Sequence, residues 1–262
     1  MNENEVVQLA DFSPSELMAI KGHARSLPFD PRRDRFELPH SAETNVRPDL
    51  NANRIRINGD NVAIATQYPL MTQLVPFFQM LVDNRTPVLV VLASNADING
   101  HVMPGYFAHS YNYGPLATEV TPTGVEQLGD GIEANLYRIE VMGYEAGIEI
   151  PVVHVHNWPD HQTVSALVTR NLVALVERTM AEKRAFYVER GSRAAQDPEK
   201  LLPVIHCRAG VGRTGQAIAA MAMERYQTMT LAEIIRDMRA SRNDIMVQTI
   251  EQMETLAEMA AD

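Results

Sequence analysis

Cysteine is nearly missing from this chain: among 262 residues Cys207 is the one thiol. No disulfide can form within the chain, and a cysteine-based zinc site would lack its ligands. A lone cysteine is ordinarily a small buried hydrophobe, so its neighbours must decide whether Cys207 is more than that. Long apolar runs are missing too; the longest, at 88–93, is far too short to cross a bilayer, and no membrane partner is expected. Basic charge is scarce, 23 Lys and Arg against 33 Asp and Glu, for a net charge of −10. An acidic chain without a basic stripe repels a nucleic-acid backbone, so nucleic acid is not an expected partner. Any anionic ligand must therefore be held by a local device. The first residues, Met1-Asn2-Glu3-Asn4-Glu5, are acidic where a Sec signal would be basic, and a soluble protein is expected. Internal repeats and low-complexity segments are absent.

What is present is an ordinary globular composition, 45% hydrophobic and 21% charged. The spacing predicts a helix over 11–27, with Ser13 as N-cap, Pro14 in the first turn and Glu16 completing a capping box. Residues 29–40 read as loop. Asn58-Gly59-Asp60 between apolar segments at 54–57 and 62–65 signals a hairpin. A helix is expected at 70–82, a buried strand at 87–93, and an antiparallel meander across 114–156. An amphipathic helix over 163–190 stops at Gly191. A strand at 203–206, a glycine-rich turn and helices near 212–226, 231–240 and 247–260 complete the chain. Strands gathered in the middle, with helices before and after, give an α+β fold: one domain with a central mixed twisted sheet flanked by helices. The crossovers around 204–206 allow that strand to lie parallel at the sheet centre.

The chemistry is concentrated where that strand turns into a helix, from Val204 to Gly215. In such a turn successive backbone N–H groups point inward and the helix N-terminus adds positive potential, which makes an oxyanion cradle from Arg208, Ala209, Gly210, Val211 and Gly212. Cys207 opens it, and the amides that would hold phosphate also favour a thiolate. Arg213 closes it with a planar fork that matches two phosphate oxygens. Thr214 brings a hydroxyl to the sulfur, and His206 is expected to orient the loop through backbone contacts. Gly210-x-Gly212-x-x-Gly215 also fits a dinucleotide-binding turn. Against it, the turn lies late in the chain, Glu233 and Asp237 fall on a helical pattern, and the turn carries an arginine that motif does not need.

A second loop, Asn157-Trp158-Pro159-Asp160, follows an apolar strand. Alone it reads as a turn with a core-packing aromatic; beside the cysteine loop, Asp160 becomes a candidate general acid for a phenolate leaving group. His154, His156 and His161 lie near it, but alternation with valines makes the first two sheet residues, and no metal or organic cofactor is expected. The methionines of the last helices, Met221, Met223, Met253 and Met259 among them, read as core filler.

His206-Cys207 through Arg213-Thr214 resembles the signature of the protein tyrosine phosphatases. Trp158-Pro159-Asp160 resembles their mobile acid loop, Ile64 to Leu70 their Ala-Thr-Gln-Gly-Pro-Leu segment, and Asp49 to Asn53 their Asp-Tyr-Ile-Asn-Ala segment. The likeness is greatest to the bacterial, type III secreted members. It implies a catalytic domain over 36–262 behind a helical extension at 1–35, a cysteinyl-phosphate intermediate, phosphotyrosine-containing proteins as partners, and a monomer. It further implies delivery into a host cytoplasm and action on host signalling proteins. By resemblance Asp160 is acid and then base, Gln248 and Gln252 place the hydrolytic water, and Phe36 stacks on the substrate ring. Four positions depart from the pattern. Asp97 stands where a Glu orients the signature arginine, so a looser or water-bridged contact to Arg213 is expected. Glu37-Leu38 replaces an Arg-Asp pair that holds substrate backbone, and His161 follows the acid. A phosphotyrosine-binding module with weak turnover and a dual-specificity phosphatase remain alternatives at this point.

Overall fold

The computed structural model describes residues 12–262, so the start of the helix expected over 11–27 lies outside the described residues. Eight strands form one sheet: β1 (Ala52–Ile57), β2 (Asp60–Thr66), β3 (Leu89–Val91), β4 (Tyr111–Asn112), β5 (Ala117–Gly129), β6 (Ile132–Met142), β7 (Ile148–Val155) and β8 (Val204–His206), in the order β1-β2-β8-β3-β7-β6-β5-β4. The centre is parallel, with β8 between β2 and β3 and β7 beyond; the two ends are antiparallel. The hairpin at Asn58-Gly59 joins β1 to β2, and both turn residues take positive φ, 55° and 81°, as a twisted two-residue turn requires.

The helices among the described residues are α1 (Pro14–Met18), α2 (Leu74–Asp83), α3 (Asn95–Gly100), α4 (Ala166–Glu189), α5 (Gly212–Arg225), α6 (Leu231–Ser241) and α7 (Ile250–Ala261). Alternation along the central strands divides the core in two. Val88, Val90, Leu92, Val153 and Ile205 pack with the α4–α7 side, while Leu89, Val91, Val152 and Val204 pack with Leu74, Phe77, Phe78 and Phe107 on the other face. Each site loop leaves the carboxyl end of a parallel strand, the edge at which open α/β sheets hold ligands.

The first helix is far shorter than its sequence suggests. The Ser13–Glu16 capping box and Pro14 form as expected, but the helix ends at Met18. Its terminal carbonyls are captured: Arg239 Nη1 donates to Met18 O at 2.7 Å and Ile20 O at 2.9 Å. Gly22 then lies so close to α6 that a Cβ would overlap the backbone of Arg239 and Ala240. Tertiary contact, not propensity, sets this boundary. At the other end of α4, Gly191 (φ 63°) donates to Val188 O at 3.0 Å and terminates the helix as its position suggests.

Candidate active site

The 207–213 turn is held open from outside. His206 is fully buried; its Nδ1 faces Cys207 O at 2.9 Å and its Nε2 faces the Tyr106 hydroxyl at 2.6 Å. A carbonyl only accepts, so Nδ1 carries the proton and Tyr106 donates to Nε2. Farther round, Tyr68 N donates to Arg208 O, Arg242 Nη2 to Ala209 O and Arg242 Nε to Gly210 O, each at 2.9 Å. Val247 N donates to Val211 O at 3.0 Å. In a trans peptide the C=O and the next N–H point opposite ways. With the carbonyls of residues 207–211 drawn outward, the amides of residues 208–212 turn to the inside. Gly210 makes this possible: it sits at φ 75°, and a Cβ there would overlap Thr66 O.

Cys207 lies at the base, 3% exposed, and accepts from Thr214 Oγ1 at 3.2 Å. Burial alone would push its thiol up. The Arg213 charge, the Thr214 hydroxyl, and the amides of Thr214 and Gly210 outweigh burial and hold it below the ordinary thiol value.

Arg213 has no exposed side-chain surface. Its Nη1 donates to Asp97 Oδ2 at 2.6 Å, Trp158 O at 2.9 Å and Leu92 O at 3.2 Å. Its Nε and Nη2 make no hydrogen bond although both are buried. Asp160 Oδ1 approaches Nη2 to 2.9 Å as an ion pair, without hydrogen-bond alignment. One edge of the guanidinium is thus fixed to the protein, and the other has donors to give.

Asp97 corrects the expectation of a loose or water-bridged contact. It occupies the third position of α3, where its carboxylate caps Ser94 N at 3.0 Å while the Ser94 hydroxyl caps its own N–H. This short helix, which the sequence pattern does not announce, carries the carboxylate close enough for a direct bond. Burial opposes ionisation of Asp97, and the Arg213 contact overrides it, leaving the carboxyl below its ordinary value.

Trp158 is fully buried, with Nε1 donating to Gln162 O at 2.7 Å. Its carbonyl on Arg213 links the acid loop to the cradle. Asp160, His161, Phe36, Glu37, Leu38, Arg208, Ala209, Val211, Gln248 and Cys207 line one cavity of about 300 Å³. The Arg208 guanidinium lies 5.0 Å from the Phe36 ring and 3.9 Å from Asp160 Oδ2. Gln248 lies before α7 and not on it. A side chain at Gly212 would press on both Gln248 and Gln252, at 3.1 Å. Gln252 is fully buried and spends both ends locally: Oε1 accepts from the amides of Gln248 and Thr249, and Nε2 donates to Gln162 O. His154 is bonded to Ala93 O and His156 to Glu133. No three metal-binding side chains gather among the described residues, and no described helix is long and apolar enough to cross a membrane.

Sequence reasoning missed Arg242, Asn53 and Tyr106. Arg242, 1% exposed, also donates to Asn53 Oδ1 at 2.7 Å. Its partners lie 32 and 189 residues away, so a basic residue just past a helix end reads locally as an exposed charge.

Burial holds His206 down at about 3 and both His40 and His154 at about 4. The unfolded chain takes up these protons near pH 6.5 and the folded chain refuses them, so stability is complete above that value and is lost as pH falls from 6.5 toward 4. Between pH 7 and 5 each histidine should cost about 2 kcal/mol of stability. Urea unfolding at the two pH values measures this. A flat profile would mean that the three titrate normally in the fold.

A thiol under a ring of amides, with a guanidinium edge and a carboxyl beside it, has the geometry to hold a tetrahedral oxyanion ester. Residues 24–262 match the family model described as protein-tyrosine phosphatase, and the chain belongs to that family. It is 48% identical over 225 residues to the tyrosine-protein phosphatase YopH of Yersinia enterocolitica, covering 83% of this chain and 47% of that protein. Secreted effector protein SptP of Salmonella paratyphi A is 32% identical over 86% of this chain and 41% of its own length. The chain thus spans about half the length of the curated relatives it matches. The catalytic domain of human protein tyrosine phosphatase non-receptor type 18 shares the fold, with a TM-score of 0.66 and 23% identity over 90% of this chain and 86% of that one.

Proposed function

We propose that this chain hydrolyses phosphotyrosine in proteins by two in-line displacements through a cysteinyl-phosphate. The observation that carries the reading is the free edge of Arg213, buried over a thiol whose ionised form the site favours. In the first step the Cys207 sulfur attacks phosphorus. Amides 208–212 and the Arg213 fork hold the equatorial oxygens, and the Asp160 carboxyl passes its proton to the departing tyrosine oxygen. In the second step Asp160, now a carboxylate, takes a proton from a water held by Gln248. That water's oxygen bonds to phosphorus, and Cys207 leaves as thiolate, eased by the Thr214 hydroxyl. Phe36 and His161 frame the aromatic ring, and His206, Asp97 and Gln252 hold catalytic groups in place. We assign the catalytic domain to residues 36–262, acting as a monomer, with 1–35 as an N-terminal extension packed on or leading into it. Inorganic phosphate and related oxyanions are expected to compete for the cradle. The likeness to SptP, a secreted effector, supports delivery by a type III system into a host cytoplasm and action on host signalling proteins.

Burial favours tyrosine: Cys207 is only 3% exposed beneath the lined cavity, and a longer side chain carries its phosphate to the sulfur more readily than phosphoserine does. Phosphotyrosine and phosphoserine peptides of one sequence test this, and equal rates would remove the tyrosine assignment. Asp160→Asn should slow phosphotyrosine peptide hydrolysis by about 10²- to 10⁴-fold. The same change should affect p-nitrophenyl phosphate less, because its leaving group is a weaker base. Equal losses on the two substrates would deny Asp160 its role as acid.

A further inference from the structure

The mechanism uses Gln248, whose amide donates to Gln252 Oε1 at 3.0 Å, but the backbone just before Gln248 needs a support of its own. Val247, just before it, has φ 64°. For a β-branched residue this is an outlier that persists only when its surroundings impose it. Two bonds do so. Val247 N donates to Val211 O, and Val247 O accepts from Arg239 Nη2 at 3.2 Å. Arg239 Nε also donates to Met246 O at 3.0 Å. The opposite side of the same guanidinium, only 1% exposed, serves the N-terminal segment: Nη1 takes the carbonyls of Leu17, Met18 and Ile20 at 3.4, 2.7 and 2.9 Å. That segment is fastened separately, with Gly22 N donating to Asp244 Oδ1 at 2.8 Å and Gly22 seated flush on the backbone of α6.

We infer that Arg239 is a positioning residue for the second displacement, and that the segment from Leu17 to Gly22 is part of the catalytic apparatus through it. One buried cation bridges the N-terminal carbonyls and the strained Met246-Val247 backbone. Removing either set of acceptors leaves guanidinium donors unpaired in the interior, where the charge must shift to find partners. The backbone before Gln248 then relaxes toward negative φ and the amide of Gln248 moves off its water. Of the cradle's anchors only Val247 N on Val211 O adjoins Arg239. Arg242, Tyr68 and His206 hold the other carbonyls and Asp97 holds Arg213, so the first displacement is expected to change far less than the second.

The inference rests on the phosphatase reading, and the test separates the two. Pre-steady-state hydrolysis of p-nitrophenyl phosphate is followed in the full chain for wild type, Arg239→Met, Arg239→Lys and Gly22→Ala. Arg239→Met should lower kcat by about 10- to 100-fold, the scale of a displaced positioning group. KM should fall with it, keeping kcat/KM within about threefold of wild type, since that ratio reports the first displacement. A burst of p-nitrophenol approaching one per active site should appear as the phosphoenzyme accumulates. Arg239→Lys should restore part of kcat. Gly22→Ala, which keeps Arg239 but pushes the N-terminal segment off α6, should move kcat and KM in the same direction, and it carries the test if Arg239→Met does not fold. Parallel loss of kcat and kcat/KM at constant KM, or no change in either variant, overturns the proposal. No turnover by wild type would instead overturn the phosphatase reading itself.

Discussion

Cys207→Ser is expected to abolish hydrolysis of p-nitrophenyl phosphate, by about five to six orders of magnitude, the scale on which removing a nucleophile acts. The site explains why so small a change is so costly. Arg213, the Thr214 hydroxyl and the amides of Gly210 and Thr214 together lower the thiol value against the pull of burial. The same groups cannot ionise a serine, whose hydroxyl is far weaker as an acid. Everything that binds the ester stays in place, because the cradle is shaped by Arg242, Tyr68 and His206 and not by the sulfur. The variant should therefore keep its unfolding midpoint and bind a phosphotyrosine peptide at least as tightly as wild type, which calorimetry can measure. In wild type, alkylation by iodoacetate should be half-maximal at a pH below the ordinary thiol value of about 8.5. A thiol that reacts only above that value, or a serine variant that still turns over, would remove the covalent mechanism.

How far the sequence reveals all this depends on how local each cause is. The hairpin at Asn58-Gly59 and the C-cap at Gly191 are legible because positive φ selects their residues. The parallel centre of the sheet is legible because the apolar Val204-Ile205 of β8 is bounded by crossovers. Within the site, Cys207, Gly210, Arg213 and Thr214 lie on one continuous turn, so their spacing alone brings them together. Asp160 enters through its neighbours Trp158 and Pro159. What stays hidden is whatever depends on a partner distant in sequence. The truncation of α1 is caused by Arg239, more than 200 residues on. The outward pull on the cradle comes from Arg242, and the partner of His206 Nε2 is Tyr106, 100 residues away. Asp97 is instructive in a different way. Its shorter side chain suggests a gap to Arg213, yet from the third position of α3 its carboxylate reaches Nη1 at 2.6 Å. Position on a helix, which a residue-type comparison ignores, decided that contact.

Arg213→Lys keeps the charge and removes the fork, and it should lower kcat/KM by about 10³- to 10⁴-fold, as loss of a transition-state guanidinium does. Three carbonyl or carboxylate oxygens, from Asp97, Trp158 and Leu92, already claim Nη1. An ammonium has three donors in all. If it takes up those acceptors it has none left for the ester, and if it turns to the ester it abandons Trp158 O, the contact that ties the acid loop to the cradle. Either way the two functions that one planar group performs at opposite edges come apart. Arg213→Met should differ in a diagnostic manner. It removes the charge as well, so the pH of half-maximal alkylation of Cys207 should rise further than in the lysine variant, since the Arg213 charge is the foremost influence opposing burial of the thiolate. Measured together, kcat/KM reports the fork and alkylation reports the charge. A lysine variant within about tenfold of wild type would show that charge alone suffices, and the bidentate geometry assigned to the free edge of Arg213 would have no part in the reaction.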